Sequence, residues 1–166
     1  YDPIPGFTKL CQRLQYEAGQ VVLTASAAAD LPIFEPIAKA LKLPLIRPEL
    51  PPQQAVDLLG HASAYIGGRW HSSIFAATGG TPVLTIAAHT FKVDALNEQL
   101  ELHHSPFNPF NLEQDVDTIL RQLNTYLANP ELRVEIRNRA RKLGRQSWEN
   151  VRFVRDMVRE RSRQAA

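Results

Sequence analysis

The sequence has a single cysteine, Cys11, and no apolar run near the roughly 20 residues that a membrane-spanning helix needs. One thiol cannot form an internal disulfide, which argues against a disulfide-stabilised secreted domain and favours a reducing compartment. We therefore predict that Cys11 is a small core residue. The first residues lack a positively charged segment followed by an apolar one, so no signal peptide is indicated. We expect the chain to begin at a cut boundary of a longer protein.

Net charge is also low, at +2, but it is unevenly distributed. Residues 1–130 carry 8 Lys/Arg and 12 Asp/Glu, whereas residues 131–166 carry 11 and 5. The first range is predicted to be an acidic body and the second a basic amphipathic helix of the same domain. A nucleic-acid partner is not expected, because phosphate neutralisation needs a basic stripe that the body lacks.

The 166 residues suit one ordinary domain, and the 44% hydrophobic and 22% charged fractions favour a globular protein over a disordered or fibrous one. Short apolar runs alternate with segments of helical period, which predicts βα units and an α/β fold with a Rossmann-like parallel sheet flanked by helices. The predicted strands are 21–25, 44–46, 64–67 and 82–86. The predicted helices are 30–41, 53–61, 72–78, 91–100 and 112–127, followed by a long amphipathic helix from residue 131 with a kink or break near Gly144.

One short segment between a predicted strand and a predicted helix could carry chemistry: Gly67-Gly68-Arg69-Trp70-His71-Ser72-Ser73. Ligands of open α/β sheets bind at the carboxyl ends of strands. Gly67 and Gly68 allow close backbone approach, and the first N–H groups of the helix favour an anion. Arg69 suits a carboxylate or phosphate, and His71 can exchange a proton near neutral pH. An ordinary turn with Arg69 paired on the surface fits the spacing equally well.

Ser72 could be a ligand contact or a helix cap, and the missing G-x-S-x-G elbow excludes a serine hydrolase. His89 and Lys92 follow the strand at 82–86 and should project over the same sheet edge. Lys92 could bind phosphate or simply be exposed at a helix start. His103 and His104 are predicted to lie in a solvated loop, because no suitably spaced Cys, Asp or His accompanies them. No metal-ligand pattern is present, so we expect full activity after chelation.

Three motifs in order carry a family resemblance: residues 65–77 around Arg69 and His71, Gly80-Thr81-Pro82-Val83, and Lys92-Val93-Asp94-Ala95-Leu96. This series resembles the C-terminal signature of the polysaccharide pyruvyl transferase family. The resemblance implies a two-domain architecture similar to GT-B glycosyltransferases, of which this chain is the C-terminal half. It also implies transfer of a pyruvate ketal from phosphoenolpyruvate, as donor substrate and without a cofactor, to a sugar.

Carried over residue by residue, the resemblance implies that Arg69 and His71 are catalytic and that Lys92 is the downstream lysine that helps to neutralise phosphate. Gly67, Gly68, Ser72 and His89 complete the implied substrate-binding set. Trp70 departs from the smaller aliphatic residue or Tyr expected between Arg69 and His71, which would alter the pocket wall.

The implied acceptor is a saccharide, with lipid-linked forms included, of a cell-surface or exopolysaccharide precursor used in cell-wall biosynthesis. The implied location is the cytoplasm or the inner face of the membrane. We expect an N-terminal partner domain to be absent from this chain, and the chain alone to be inactive. The terminal helix could cross onto that domain, pack plainly on the body, or associate peripherally with anionic lipid.

Two other functions remain open. A GT-B glycosyltransferase would bind UDP or GDP at the same sheet edge with an acidic residue on the ribose, and no Asp or Glu lies between Arg69 and Lys92. A non-catalytic anion- or sugar-binding domain would keep the fold but would tolerate the loss of His71.

Overall fold

The computed structural model describes residues 2–88 and 90–164. Within this part of the chain, strands are short and helices dominate. The strands are β1 (Leu23–Thr24), β2 (Leu45–Ile46), β3 (Tyr65–Gly67) and β4 (Val83–Thr85). The helices are α1 (Ile4–Glu17), α2 (Leu31–Leu41), α3 (Pro52–His61), α4 (Trp70–Gly79), α5 (Lys92–Gln99), α6 (Leu112–Leu127), α7 (Pro130–Ser147) and α8 (Glu149–Gln164).

The strands pair in parallel through helical crossovers, as the alternating pattern predicted. β1 pairs with β2, and β3 pairs with β4. The prediction of one continuous Rossmann-like sheet is not confirmed, because the described strands form two separate two-stranded sheets. Strands of two or three residues have few backbone N–H and C=O groups with which to pair. The sheet of β1 and β2 is instead connected to the sheet of β3 and β4 by side chains that lie beyond the strand ends. There, the hydroxyls of Ser26 and Ser72 lie 2.8 Å apart.

The main core surrounds β3 and β4 and includes α4, α6 and α7. Helix α6 has the predicted bounds, because acidic residues occupy its first turn and its apolar residues recur at three-to-four spacing. Its inward face buries Val116, Ile119, Leu120 and Leu123. Burial of such side chains is the dominant stabilising term for an element of this kind.

A second, smaller core lies under α1 and α2 and contains Cys11, Leu23, Ile37 and Leu43. The prediction for Cys11 is confirmed, and burial raises the pKa of its thiol to about 11. The sequence analysis did not predict α1, whose first turn contains Pro5 and Gly6. Proline is compatible with a helix start, where its missing N–H would have no partner.

The basic C-terminal segment forms two helices, and the predicted single helix is divided at Trp148, just beyond Gly144. Helix α7 packs on the body through buried Leu132 and Ile136. Helix α8 leaves Phe153 and Met157 exposed. None of the described helices has the length and apolar character needed to cross a bilayer.

Arginines of α7 bind the carboxyl-terminal ends of three body helices. Arg133 donates to the carbonyl oxygen of Ala62 at 2.9 Å. Arg137 donates twice to the carbonyl oxygen of Gly79, at 3.0 and 2.6 Å. Arg139 donates to the carbonyl oxygen of Leu100 at 3.1 Å. A cation at a helix C-terminus satisfies free carbonyl groups and opposes the negative end of the helix dipole. Part of the positive charge of the basic C-terminal segment therefore stabilises helix ends within the domain.

Candidate active site

The predicted Arg-x-His segment lies at the junction of β3 and α4. Arg69 has extended backbone and precedes the first residue of α4, and no side chain caps the first turn of this helix. Arg69, Trp70 and His71 are exposed, whereas Ser72 and Ser73 are buried. The Ser73 hydroxyl donates to the Arg69 carbonyl at 3.0 Å. The exposed side chains and the N–H groups of the first turn therefore face the same solvent-accessible end of the helix.

Gly67 and Gly68 make close contacts within the protein. A Cβ on Gly67 would lie 2.6 Å from the Tyr65 hydroxyl oxygen, and one on Gly68 would lie 2.9 Å from the Ile86 carbonyl oxygen. Because Gly67 has no side chain, the Tyr65 ring can lie over it. Because Gly68 has none, the loop after β3 can lie against the residue that follows β4. These contacts explain why glycine is required at both positions. That Gly67 and Gly68 also let a ligand approach the backbone remains a prediction.

Arg69 forms an ion pair with Asp30, which precedes α2. One guanidinium nitrogen donates to Oδ1 of Asp30. The other carboxylate oxygen, Oδ2, accepts from the backbone N–H groups of Ser26 at 2.9 Å and Ala27 at 3.1 Å. Asp30 is only 7% exposed, so its carboxylate is a fixed anchor that orients the half-exposed Arg69 side chain.

The sequence analysis missed Asp30 as a site residue and treated it only as a helix start. A usable signal was present, because Asp30 follows the end of the first predicted strand and should lie at the same sheet edge as Arg69. Asp30 lies outside the segment between Arg69 and Lys92, in which no Asp or Glu occurs.

Ser72 connects this ion pair to Tyr65. Its hydroxyl contacts the Ser26 hydroxyl at 2.8 Å and also interacts with the hydroxyl of Tyr65. Burial raises the pKa of Tyr65 to about 12, and the Asp30 carboxylate adds to that increase, while Ser72 and Arg69 oppose it. Tyr65 is therefore a neutral hydroxyl at physiological pH. The Ser72 hydroxyl therefore joins the first turn of α4 to the loop after β1.

His71 lines a cleft of about 270 Å³ at the carboxyl ends of β1 and β2. The same cleft is also lined by Arg47, which directly follows β2 and pairs with Glu35 at 2.7 Å. Arg47 was also missed, although it follows the predicted strand 44–46. A larger hollow of about 400 Å³ is lined only by residues of α7 and includes none of the predicted site residues.

Lys92 contacts the Arg-x-His segment at the side chain of Trp70. Its Nζ lies 5.6 Å from the centroid of the Trp70 ring, within the range of a cation–π interaction. The Trp70 ring in turn contacts the His71 ring edge-to-face at a centroid distance of 4.9 Å. The predicted meeting of the two loops is therefore observed, with Trp70 between Lys92 and His71. His89 lies outside the described residues.

Residues 10–90 match the family model described as polysaccharide pyruvyl transferase. This segment is therefore similar to that family. No curated protein and no solved structure gives a significant match. The family match confirms the resemblance seen in the sequence and indicates a transferase with a polysaccharide acceptor. The matched segment contains all four described strands, Asp30, Arg47 and the Arg-x-His residues, and it ends before Lys92.

Beyond the matched segment, His104 corrects one expectation. His104 is not in a solvated loop, because the Thr85 backbone N–H donates to its Nε2 at 3.1 Å and its Nδ1 lies 2.7 Å from the Tyr126 hydroxyl. Burial lowers the pKa of His104 to about 4. Buried Asn97 donates to the Thr85 hydroxyl at 2.8 Å and to the His104 carbonyl at 3.0 Å.

This polar network fixes the carboxyl end of β4 against α5, the helix that begins at Lys92. The sequence could not reveal it, because the loop after α5 folds back on β4 through a bridge between Ile86 and Phe107. His103, by contrast, is exposed as predicted. Among the described residues, no group of three or more His, Cys, Asp or Glu side chains is arranged to hold a metal ion. Metal-independent activity remains a prediction for a chelation assay.

Proposed function

We propose that this chain supplies the donor site of a polysaccharide pyruvyl transferase that transfers a pyruvate ketal from phosphoenolpyruvate to a sugar. The observation that carries the proposal is the exposed Arg69–His71 segment at the start of α4, inside the family match. The proposed acceptor is a precursor of a cell-surface polysaccharide or exopolysaccharide. The reaction would take place in the cytoplasm or at the inner face of the membrane.

The groups available at this end of α4 suit a ligand with two anionic ends. Phosphoenolpyruvate has a carboxylate and a phosphate on a three-carbon unit. Arg69 uses one terminal nitrogen for Asp30, and among the described residues no hydrogen bond occupies its remaining nitrogens. Those nitrogens can bind one anionic end, while the first-turn N–H groups of α4 favour negative charge at the same place. Lys92 supplies a second cation near Trp70.

The chemistry needs one group that gives and takes a proton. When C3 of phosphoenolpyruvate gains a proton, C2 becomes electrophilic and a sugar hydroxyl adds to it. A second hydroxyl then attacks C2, the bond from C2 to the phosphate oxygen breaks, and the departing phosphate takes the second hydroxyl's proton. His71 is exposed beside this region, and its side chain is of the type that can both give and take a proton in such a step.

We also propose that this chain forms one of the two domains of a GT-B-like enzyme. Parallel βα units with a ligand site at the carboxyl ends of the strands fit one half of a GT-B-like enzyme. In such an arrangement, a second domain would face this site and close over the bound substrates. Donor binding can be measured on this chain alone, so it is the first property to test.

Donor binding can be measured with Trp70 as an intrinsic reporter. The chain has two tryptophans, so a Trp148→Phe variant leaves Trp70 alone beside His71 and Lys92. We expect phosphoenolpyruvate to change its fluorescence saturably, and we expect Arg69→Ala to raise the Kd by about tenfold or more. Arg121→Ala, an exposed arginine on α6 that contacts Thr118, is the matched control and should leave the Kd unchanged.

UDP provides the competing outcome. Saturable binding of UDP, with no response to phosphoenolpyruvate, would instead support a GT-B glycosyltransferase. For turnover, the chain is assayed with its proposed partner domain by release of inorganic phosphate. We expect His71→Ala to lower kcat on the order of a hundredfold or more, as is typical for loss of an acid–base group. Unchanged turnover in this variant would support a binding domain that does not use His71.

A further inference from the structure

We infer that the cleft lined by His71 and Arg47 binds the acceptor saccharide, and that Arg47 recognises an anionic group on it. The catalytic consequence of this inference rests on the proposed function, whereas the binding site itself can be tested separately. The cleft volume of about 270 Å³ is close to the lower end of small-molecule sites, which occupy roughly 300–1,000 Å³. It therefore has room for one small ligand such as a single sugar residue.

The cleft walls have the two surfaces that a sugar ring requires. One wall is apolar and comes from the end of β2, the loop after it and the helices α3 and α4. Its residues are Ile46, Pro48, Leu50, Ala55, Leu58, Leu59 and Phe75. Hydroxyl groups of Thr24 and Ser26 line the end of β1. The C–H face of a pyranose packs on apolar side chains, while its hydroxyl groups hydrogen-bond to polar ones.

The charge of the cleft lining favours sugars that carry an anionic group. No carboxylate lines the described cleft, and Arg47 is its one permanently charged lining residue. The partner of Arg47 is Glu35, and the two side chains are 54% and 49% exposed. A pair this exposed is weak, so Arg47 can exchange it for a ligand anion. A sugar carboxylate or a sugar phosphate would meet the guanidinium with two parallel hydrogen bonds.

The position of His71 gives the cleft a role in the reaction. His71 lines the cleft and also contacts the ring of Trp70, which lies against Lys92. An acceptor hydroxyl in the cleft and a donor held by Arg69 and Lys92 would therefore meet at His71. Protonated His71 gives its proton to C3 of the donor and then takes the proton of the first hydroxyl as that oxygen bonds to C2. The imidazole returns to its starting state before the second hydroxyl displaces phosphate.

Saturation-transfer NMR of the purified chain tests the binding site with three probes: glucuronate, glucose 6-phosphate and glucose. We expect both anionic sugars to bind at least several-fold more tightly than glucose. Arg47→Ala should remove that preference and weaken the anionic sugars on the order of tenfold, while leaving glucose unchanged. The stronger of the two anionic probes identifies whether the preferred group is a carboxylate or a phosphate.

Arg121→Ala serves again as the exposed control and should change none of the three affinities, with thermal unfolding confirming that every variant folds. Failure of all three sugars to bind, an equal affinity for glucose, or full anionic binding by Arg47→Ala would overturn the inference. Phosphoenolpyruvate binding, followed through Trp70, should be unaffected by Arg47→Ala. A chain that binds anionic sugars through Arg47 but not phosphoenolpyruvate would refute the proposed donor site and leave the cleft assignment intact.

Discussion

The buried carboxylate of Asp30 holds the guanidinium of Arg69, and so connects the loop after β1 to the Arg-x-His segment after β3. Backbone N–H groups of Ser26 and Ala27 fix the second oxygen of that carboxylate. Arg69 is consequently oriented before any ligand arrives. Pre-orientation reduces the side-chain ordering that binding would otherwise require.

Replacing Asp30 should weaken donor binding through Arg69. We expect Asp30→Asn to raise the Kd for phosphoenolpyruvate by about tenfold, because the uncharged amide holds the guanidinium less firmly. Asp30→Ala should in addition lower the free energy of unfolding by about 1–3 kcal/mol, because two N–H groups lose their acceptor. Trp70 fluorescence and denaturant unfolding measure the two effects.

Asp117→Asn is the matched control for this charge removal. Asp117 also pairs with an arginine, Arg13, at 2.8 Å, but its side chain is 67% exposed. Loss of such a surface pair should change stability by less than about 0.5 kcal/mol and should not affect donor binding. An Asp30→Asn variant that binds the donor as tightly as the parent would show that Asp30 does not position Arg69.

His104 should make stability depend on pH. Its folded pKa of about 4 lies below the ordinary histidine value of 6.5, so the unfolded chain binds the proton more readily. The stabilising contribution is complete above pH 6.5 and falls as the pH decreases toward 4. The difference between a pKa of 6.5 and one of about 4 corresponds to at most about 3 kcal/mol, and solvent screening of the partly exposed ring reduces the expected loss to about 2 kcal/mol. Urea unfolding at a series of pH values measures this loss.

His104→Gln retains a polar side chain without a titratable group and should flatten this part of the pH profile. His103→Gln, on the exposed neighbour, should retain the parent slope. Equal slopes for the two variants would contradict a neutral, hydrogen-bonded His104.

Gly80 should not tolerate a side chain. Its φ is +84°, and an added Cβ would lie 2.3 Å from the carbonyl oxygen of Arg133. We expect Gly80→Ala to lower the free energy of unfolding by about 2 kcal/mol or more, because left-handed backbone strain and a clash with α7 combine. Gly144→Ala provides the contrast, since no atom lies within 4 Å of its added Cβ.

Gly144 lies inside α7, where alanine has the higher helix propensity. Gly144→Ala should therefore increase the free energy of unfolding by about 0.5–1 kcal/mol. Destabilisation by this substitution would indicate that α7 is not a continuous helix at residue 144.

Arg137 should stabilise the end of α4. Its guanidinium donates two hydrogen bonds to the Gly79 carbonyl, so Arg137→Ala should lower the free energy of unfolding by about 1 kcal/mol. Arg141→Ala, at an exposed position of the same helix, should remain within about 0.5 kcal/mol of the parent. Thermal or urea unfolding compares the pair. Equal losses would assign the effect to net charge rather than to the capped carbonyl.

The sequence determined most of the local structure. Apolar runs and helical periods correctly predicted the alternation of strands and helices, the bounds of α6 and the position of the Arg-x-His segment at the start of α4. These features depend on residues close together in the chain, where side-chain period and backbone preference act directly. The motif order around Arg69, His71 and Gly80 likewise identified the family that the match over residues 10–90 confirms.

Only the tertiary structure decided which distant residues meet. The pairing of Asp30 with Arg69, the presence of Arg47 and His71 in one cleft, and the hydrogen bonding of His104 to Thr85 and Tyr126 depend on how the loops pack. A charged or polar side chain has no sequence period that names its partner. Its environment is fixed when packing removes water and leaves one hydrogen-bonding arrangement available. The same reason explains why two short sheets replaced the single sheet expected from the alternating pattern: strand pairing depends on long-range packing that a local pattern does not contain.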